Sequence, residues 1–124
     1  MKKMFVAAGL AAAFLCAPAM AQNPGDWVLS QSRGSAQYFP GVVTAREGNT
    51  VVVRFDDGAV ERRPANLLRP FDWRAGSRVE CRFTDGNWYG ARITRIAADG
   101  LTVSVRYDDG DVQNTNTGRC RVPG

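Results

Sequence analysis

The clearest β-strand pattern in this sequence lies at residues 101–110, which read Leu101-Thr102-Val103-Ser104-Val105-Arg106-Tyr107-Asp108-Asp109-Gly110. Apolar and polar side chains alternate strictly from Leu101 to Tyr107, which is the pattern of a half-buried strand. The Asp-Asp-Gly that follows is a hairpin signal, because Asp and Gly tolerate the backbone angles of tight turns. We therefore predict a strand whose apolar face, Leu101 included, points into a β core.

A second copy of this pattern occurs earlier in the chain. Val53-Arg54-Phe55-Asp56-Asp57-Gly58 matches residues 105–110 at a shift of 52, and residues 38–43 match residues 88–93 at a shift of 50. Two like copies indicate two modules rather than one domain. The expected fold class is all-β, with tandem five-stranded barrels over residues 22–70 and 71–124.

The first 21 residues show the parts of a secretory signal in the right order. Lys2 and Lys3 precede an apolar run over residues 4–16, and Ala19-Met20-Ala21 supplies small residues for a cleavage site. The run is shorter than the roughly 20 apolar residues that a membrane span takes. We therefore predict a signal peptide over residues 1–21, cleaved after Ala21, a periplasmic or secreted location and no membrane span.

Charge argues against one class of partner. Both lysines leave with the signal, so the net charge falls from +4 to +2 and arginine supplies all the remaining basic residues. Nucleic-acid binders carry a concentrated basic face, whereas Arg62-Arg63 is the only adjacent basic pair in the mature chain. Nucleic acid is therefore the weakest candidate among the partners.

Two cysteines remain once Cys16 has left with the signal. An even number in an exported protein suggests a disulfide. Cys81 falls on the first predicted strand of the second module and Cys120 on its last, and these strands can lie side by side in a closed five-stranded barrel. The alternative is two separate buried thiols, because free cysteine is often a core residue.

Catalytic chemistry finds little support in this composition. The chain has no histidine, the commonest general base and metal ligand. Adjacent acids occur at residues 56–57 and 108–111, but their spacing does not match a calcium loop. Each acidic pair also sits where a hairpin needs Asp-Gly. We expect turns there, and no enzyme, metal site or cofactor.

Several segments together resemble the Tudor and Agenet group of five-stranded SH3-like barrels. In the second module these are Gly-Ser-Arg-Val-Glu-Cys at 76–81, Gly-Asn-Trp-Tyr-Gly-Ala-Arg-Ile at 86–93 and Val-Ser-Val-Arg-Tyr-Asp-Asp-Gly-Asp at 103–111. The first module is similar at 25–28, 38–43 and 53–58. The resemblance covers nearly the whole mature chain and implies a non-enzymatic binding protein made of two Tudor-like barrels.

The resemblance also implies a type of site. Some members of that group hold methylated lysine or arginine in an aromatic cage, because a methylated cation is attracted to ring faces. The matching positions in the second module are Phe83, Tyr89, Tyr107 and Asp109. Those in the first module are Ser32, Phe39, Phe55 and Asp57, so one wall is missing unless Tyr38 or Trp27 supplies it.

We expect the exported chain to recognise a peptide or a methylated or quaternary cationic group at the aromatic rim of the second barrel. Because Tyr89 and Tyr107 continue core-facing stripes, the alternative is that the rings plug the open end of the barrel. The chain would then be a structural cell-envelope protein that binds peptidoglycan or a protein partner through its loops. Trp88 points to the opposite face, toward the linker or the first module.

Overall fold

The computed structural model describes residues 22–32 and 34–123 and contains two five-stranded antiparallel sheets. The predicted signal peptide, with Cys16, lies outside the described residues. The expected all-β fold with two tandem five-stranded barrels is confirmed. Within the described part of the chain, no helix is long and apolar enough to cross a membrane.

The two sheets have the same plan: an opening strand, a long hairpin, a second hairpin and a short closing strand. The first sheet, in the order β4-β3-β2-β1-β5, contains β1 (Trp27–Gln31), β2 (Tyr38–Glu47), β3 (Thr50–Phe55), β4 (Val60–Pro64) and β5 (Arg69–Pro70). The second sheet, in the order β10-β6-β7-β8-β9, contains β6 (Arg78–Arg82), β7 (Trp88–Ile96), β8 (Thr102–Tyr107), β9 (Val112–Asn116) and β10 (Cys120–Arg121). A 3-10 turn precedes each closing strand, at Ala65–Leu67 and Thr117–Arg119.

Alternation along the inner strands selects the residues that fill the cores. In β8 the buried side chains are Val103, Val105 and Tyr107, as predicted. The prediction for Leu101 is wrong, because 52% of this residue is exposed. Leu101 precedes β8 and belongs to the turn, where its N–H donates to the carboxylate of Asp99 at 2.9 Å.

The long strand of each barrel carries a β-bulge. The register of β2 against β3 shifts between Val43 and Ala45, and that of β7 against β8 shifts between Ile93 and Arg95. A bulge adds one residue to one strand, which bends that strand and increases its twist. The same device therefore curves both sheets at equivalent positions.

The Asp-Asp-Gly turns are hairpin loops in which Asp and Gly have separate tasks. The N–H of Gly110 donates to the carbonyl of Tyr107 at 2.9 Å, and Gly110 has the positive φ of 97° that favours glycine. The carboxylate of Asp109 accepts the N–H of Asp111 at 3.0 Å. Asp57 accepts a backbone N–H in the same way in the first barrel. The turn role predicted for the acidic pairs is confirmed.

Backbone and core contacts join the two barrels. Tyr38, at the start of β2, and Val122, just beyond β10, exchange N–H to carbonyl hydrogen bonds of 2.8 and 3.0 Å. Leu29 of β1 packs in the hydrophobic core of the second barrel. Because the halves share this packing, the division into residues 22–70 and 71–124 stays a prediction.

A disulfide between Cys81 and Cys120 pairs the first and last strands of the second barrel. The two residues lie directly opposite each other in the β6 and β10 register, and both are fully buried. The predicted alternative of two separate thiols does not occur. The disulfide therefore fastens the closing strand, which is only two residues long, to the body of the barrel.

We expect reduction of this disulfide to destabilise the protein. The bonded cysteines are 39 residues apart, and a loop of that size corresponds to about 4 kcal/mol of unfolding free energy in the loop-entropy treatment. Urea unfolding followed by tryptophan fluorescence, with and without dithiothreitol, measures the loss. The Cys81→Ser/Cys120→Ser variant serves as control, since its stability should not respond to the reductant. Equal unfolding midpoints for the oxidised and reduced wild-type protein would contradict the prediction.

Gly118 tests how closely the barrels pack. A Cβ at this position would lie 2.1 Å from Cβ of Asp56 in the other barrel. Gly118→Ala should therefore lower the free energy of unfolding by about 1–3 kcal/mol, the usual cost of overpacking. The matched control is Gly90→Ala, whose new methyl group would meet only the ends of the Arg78 and Asp108 side chains. Urea unfolding measures both variants. If Gly90→Ala lowered the free energy of unfolding as much as Gly118→Ala does, close packing of the barrels at Gly118 would be refuted.

Candidate functional site

Three aromatic rings meet at the open end of the second barrel. Phe83 follows β6, Tyr89 lies in β7, and Tyr107 ends β8. The ring centroids are 5.3 Å apart for Phe83 and Tyr107, 6.2 Å for Phe83 and Tyr89, and 6.4 Å for Tyr89 and Tyr107. Interplanar angles of 83°, 85° and 88° make the rings nearly perpendicular to one another. The three rings therefore form the walls of a concave corner and are not stacked in parallel.

A cavity of about 450 Å³ opens on this corner, and we call it the barrel-2 mouth. Its lining consists of the three rings and Asp85, Gly90, Asp108, Asp109 and Asp111. Among the described residues, no basic side chain lines this cavity. The rings also complete the core, since Tyr107 is buried in it and Phe83 packs against it. Tyr89, which is 43% exposed, faces the solvent side.

Hydrogen bonds fix the two tyrosine rings. The hydroxyl of Tyr89 donates to Oδ2 of Asp85 at 2.6 Å, and the hydroxyl of Tyr107 donates to Oε1 of Gln113 at 2.5 Å. Burial raises the pKa of Tyr107 above its ordinary value, although the nearby charge of Arg119 acts in the opposite direction. Tyr107 therefore remains neutral at physiological pH, and both tyrosine rings line the cavity.

Two of the carboxyl groups have a lowered pKa. The hydroxyl of Tyr89, and then the backbone N–H of Asn87, lower the pKa of Asp85 by hydrogen bonding to its charged form. Hydrogen bonds from Arg78, at 2.6 Å to each carboxylate oxygen, lower the pKa of Asp108. Both groups are ionised at neutral pH. The barrel-2 mouth thus combines aromatic faces with negative charge, which suits a cation.

The structure brings together all four positions that the resemblance suggested for the second module. Phe83, Tyr89, Tyr107 and Asp109 all line the barrel-2 mouth. Asp85 is the residue that sequence reasoning missed, although it holds Tyr89 in place. The available signal was the repeated turn chemistry, because Thr84-Asp85-Gly86 follows a strand just as Asp-Asp-Gly follows β3 and β8.

The matching positions of the first module face a different environment. Ser32, Phe39, Phe55 and Asp57 line a cavity of about 420 Å³ that also contains residues of the second barrel. We call this cavity the inter-barrel cleft, and its other lining residues include Asp56, Arg82, Trp88, Gly118 and Arg119. Trp88 contacts Phe39 edge to face, with ring centroids 5.9 Å apart.

The wall missing from the first module therefore comes from Trp88 and not from Tyr38 or Trp27. The guanidinium of Arg69 covers the ring of Tyr38 at 3.8 Å from its centroid. Trp27 packs on Phe71 of the linker, with ring centroids 5.6 Å apart. Both candidate rings are thus engaged outside the cleft, whereas β-strand alternation turns Trp88 toward the first barrel.

The described residues contain no group of three or more His, Cys, Asp or Glu side chains arranged to hold a metal ion. Three of the four acids that line the barrel-2 mouth have turn or ion-pair roles. Asp85 and Asp109 accept turn N–H groups, and Asp108 binds Arg78.

Two solved structures of tandem Agenet domains are similar to this chain. The crystal structure of Arabidopsis thaliana AGDP1 AGD34 is 16% identical, with a TM-score of 0.36 and 82% of each chain covered. The structure of ADCP1 tandem Agenet domain 3-4 is 18% identical, with a TM-score of 0.35, and covers 82% of this chain and 79% of its own. No protein-family model and no curated protein sequence matches the chain.

Removal of one hydroxyl tests the electrostatics of the site. Tyr89→Phe should raise the pKa of Asp85 toward the ordinary aspartate value, because the hydroxyl is the main group that stabilises the charged carboxylate. An NMR titration of the side-chain carboxyl carbons measures this change. The pKa of Asp108 depends on Arg78 and should stay the same, which provides an internal control. An unchanged pKa for Asp85 would show that its hydrogen bond to Tyr89 is unimportant.

Proposed function

We propose that this protein is a non-enzymatic binding protein whose barrel-2 mouth takes a cationic group, in particular a methylated or quaternary ammonium on a peptide or small molecule. The observation that carries the proposal is that three mutually perpendicular rings and four carboxylates line one cavity, with no basic side chain among the described lining residues. Ring faces attract a cation that water hydrates poorly, and the carboxylates supply the opposite charge.

The geometry of Tyr89 supports the same proposal. Tyr89 leaves part of its apolar ring exposed to water at the edge of the cavity. A bound ligand would cover this ring surface. The Tyr89 hydroxyl is bonded to Asp85, which prevents the ring from folding over the opening. The cavity volume lies within the about 300–1,000 Å³ of small-molecule sites. The mouth therefore has ample room for a trimethylammonium group and for part of the molecule that carries it.

We propose further that the protein acts outside the cytoplasm, in the periplasm or after secretion. This part rests on residues 1–21, where positive charge, an apolar run and small residues follow the order of a signal peptide. The disulfide between Cys81 and Cys120 supports export, because such bonds persist in oxidising compartments.

A pair of ligands with the same shape tests the cation site. Choline should bind in the millimolar range or tighter, whereas 3,3-dimethylbutanol, which has carbon in place of the charged nitrogen, should bind much more weakly. Isothermal titration calorimetry with the oxidised protein compares them. Equal affinity for the two ligands, or no binding of choline, would overturn the proposal.

Variants of the barrel-2 mouth distinguish the contribution of the Tyr89 ring to choline affinity from that of the carboxylate charge. Tyr89→Leu should weaken choline binding roughly two- to fivefold, since an exposed cation–π contact contributes about 0.5–1 kcal/mol. Tyr89→Phe should keep most of the affinity. Asp109→Asn keeps an acceptor for the turn N–H but removes the charge, so it should also weaken binding. The matched control is Val112→Ala, an exposed apolar residue of the same barrel that lies outside the lining. A loss of affinity in the control would show that the effects are not local.

A further inference from the structure

The inter-barrel cleft has an aromatic floor built by both barrels. Phe39 and Phe55 come from the first barrel and Trp88 from the second. Trp88 is held by its edge contact with Phe39 and by the guanidinium of Arg121, which lies over its ring at 4.1 Å from the centroid. The floor is thus fixed before any ligand arrives, and it exists only while the two barrels are packed together.

Charges of opposite sign border this floor. Asp56 lies on the turn of the first barrel, and Arg119 lies on the 3-10 turn of the second. Within the described part of the chain, neither side chain forms a hydrogen bond or an ion pair. Asp56 nevertheless packs against Gly118, the neighbour of Arg119. An anion and a cation, each without an ion-pair partner among the described residues, therefore line the same cavity.

The cleft differs in this respect from the barrel-2 mouth, whose charged lining is wholly acidic. A ligand with only a positive charge would be attracted by the two aspartates of the cleft and repelled by its two arginines. For a ligand with only a negative charge the two effects are exchanged, so neither ligand gains much from the charges of the lining. A ligand that carries both charges a few bonds apart meets an opposite charge on each side.

We infer that the inter-barrel cleft is a second binding site, which takes a small zwitterion such as an amino acid or a betaine. The ammonium lies beside Asp56 over the rings of Phe39 and Trp88, and the carboxylate lies beside Arg119. The cavity, of about 420 Å³, has room for a molecule of this size. The inference goes beyond the cation site, because the cleft uses Trp88 and the mouth uses Tyr89.

Three small ligands of similar shape test this site. Betaine carries both charges, choline carries only the positive one, and 3,3-dimethylbutyrate carries only the negative one. NMR follows the indole N–H signals of the three tryptophans, with the Trp88 signal assigned from Trp88→Phe. Betaine should shift the Trp88 signal at a lower concentration than either singly charged ligand and leave Trp27 and Trp73 unmoved. An equal response to choline or to 3,3-dimethylbutyrate, or no response to betaine, would overturn the inference.

Two conservative variants test the assigned charges. Arg119→Gln should weaken betaine binding roughly tenfold, the loss expected when one charged hydrogen bond to the ligand carboxylate is removed. Asp56→Asn should also weaken it, because the quaternary ammonium, which has no N–H to donate, loses the opposite charge beside it. Because neither side chain has a partner in the described fold, both variants should keep the wild-type unfolding midpoint. Arg106→Gln, which removes an exposed arginine of β8 outside the lining, is the matched control. Wild-type affinity in both cleft variants would overturn the inference.

One further variant separates this site from the proposed cation site. Tyr89→Leu should weaken choline binding at the barrel-2 mouth and leave the betaine shift of Trp88 unchanged. Loss of the betaine shift in this variant would place the zwitterion in the mouth and contradict a separate site. In the wild-type protein, a normal betaine response of Trp88 together with no binding of choline would overturn only the cation site.

Discussion

Strand alternation at the start of β7 is the constraint on which both candidate sites depend. Trp88 and Tyr89 are consecutive, so their side chains leave the sheet on opposite faces. Tyr89 becomes a wall of the barrel-2 mouth, and Trp88 reaches Phe39 in the other barrel. A register shift of one residue would exchange the two rings and dismantle both cavities at once. The pairing of Cys81 with Tyr89 and of Ala91 with Tyr107 holds that register.

Turn chemistry is the source of the negative charge at the barrel-2 mouth. Asp85 and Asp109 are needed by their hairpin loops, where each carboxylate accepts a backbone N–H. A carboxylate has further lone pairs after this bond is made, so the same groups also give the cavity its charge. The equivalent turn of the first barrel meets Arg82 and Arg119 instead. The two copies of the Asp-Asp-Gly motif therefore have different electrostatic surroundings, because different charged residues lie next to them.

The fold could be predicted from local patterns, because alternation and Asp-Gly turns act over a few residues. Val103, Val105 and Tyr107 are buried as their spacing indicates, whereas Leu101 is not, since the turn ends only after it. The walls of the barrel-2 mouth could be placed by resemblance to a known family. The inter-barrel cleft could not be predicted, because the approach of Trp88 to Phe39 depends on how two separate sheets pack. No local pattern contains that information.

The backbone bridge between Tyr38 and Val122 has a consequence for the edge of β2. β2 extends beyond β3, whose last residue pairs with Gly41, so the first residues of β2 have no partner on that side within their own sheet. Val122 fills this position. Unpaired strand edges are prone to join edges of other chains. The end of the second barrel therefore protects the first: a molecule whose last residues were detached would leave this edge of β2 open to pairing with another molecule.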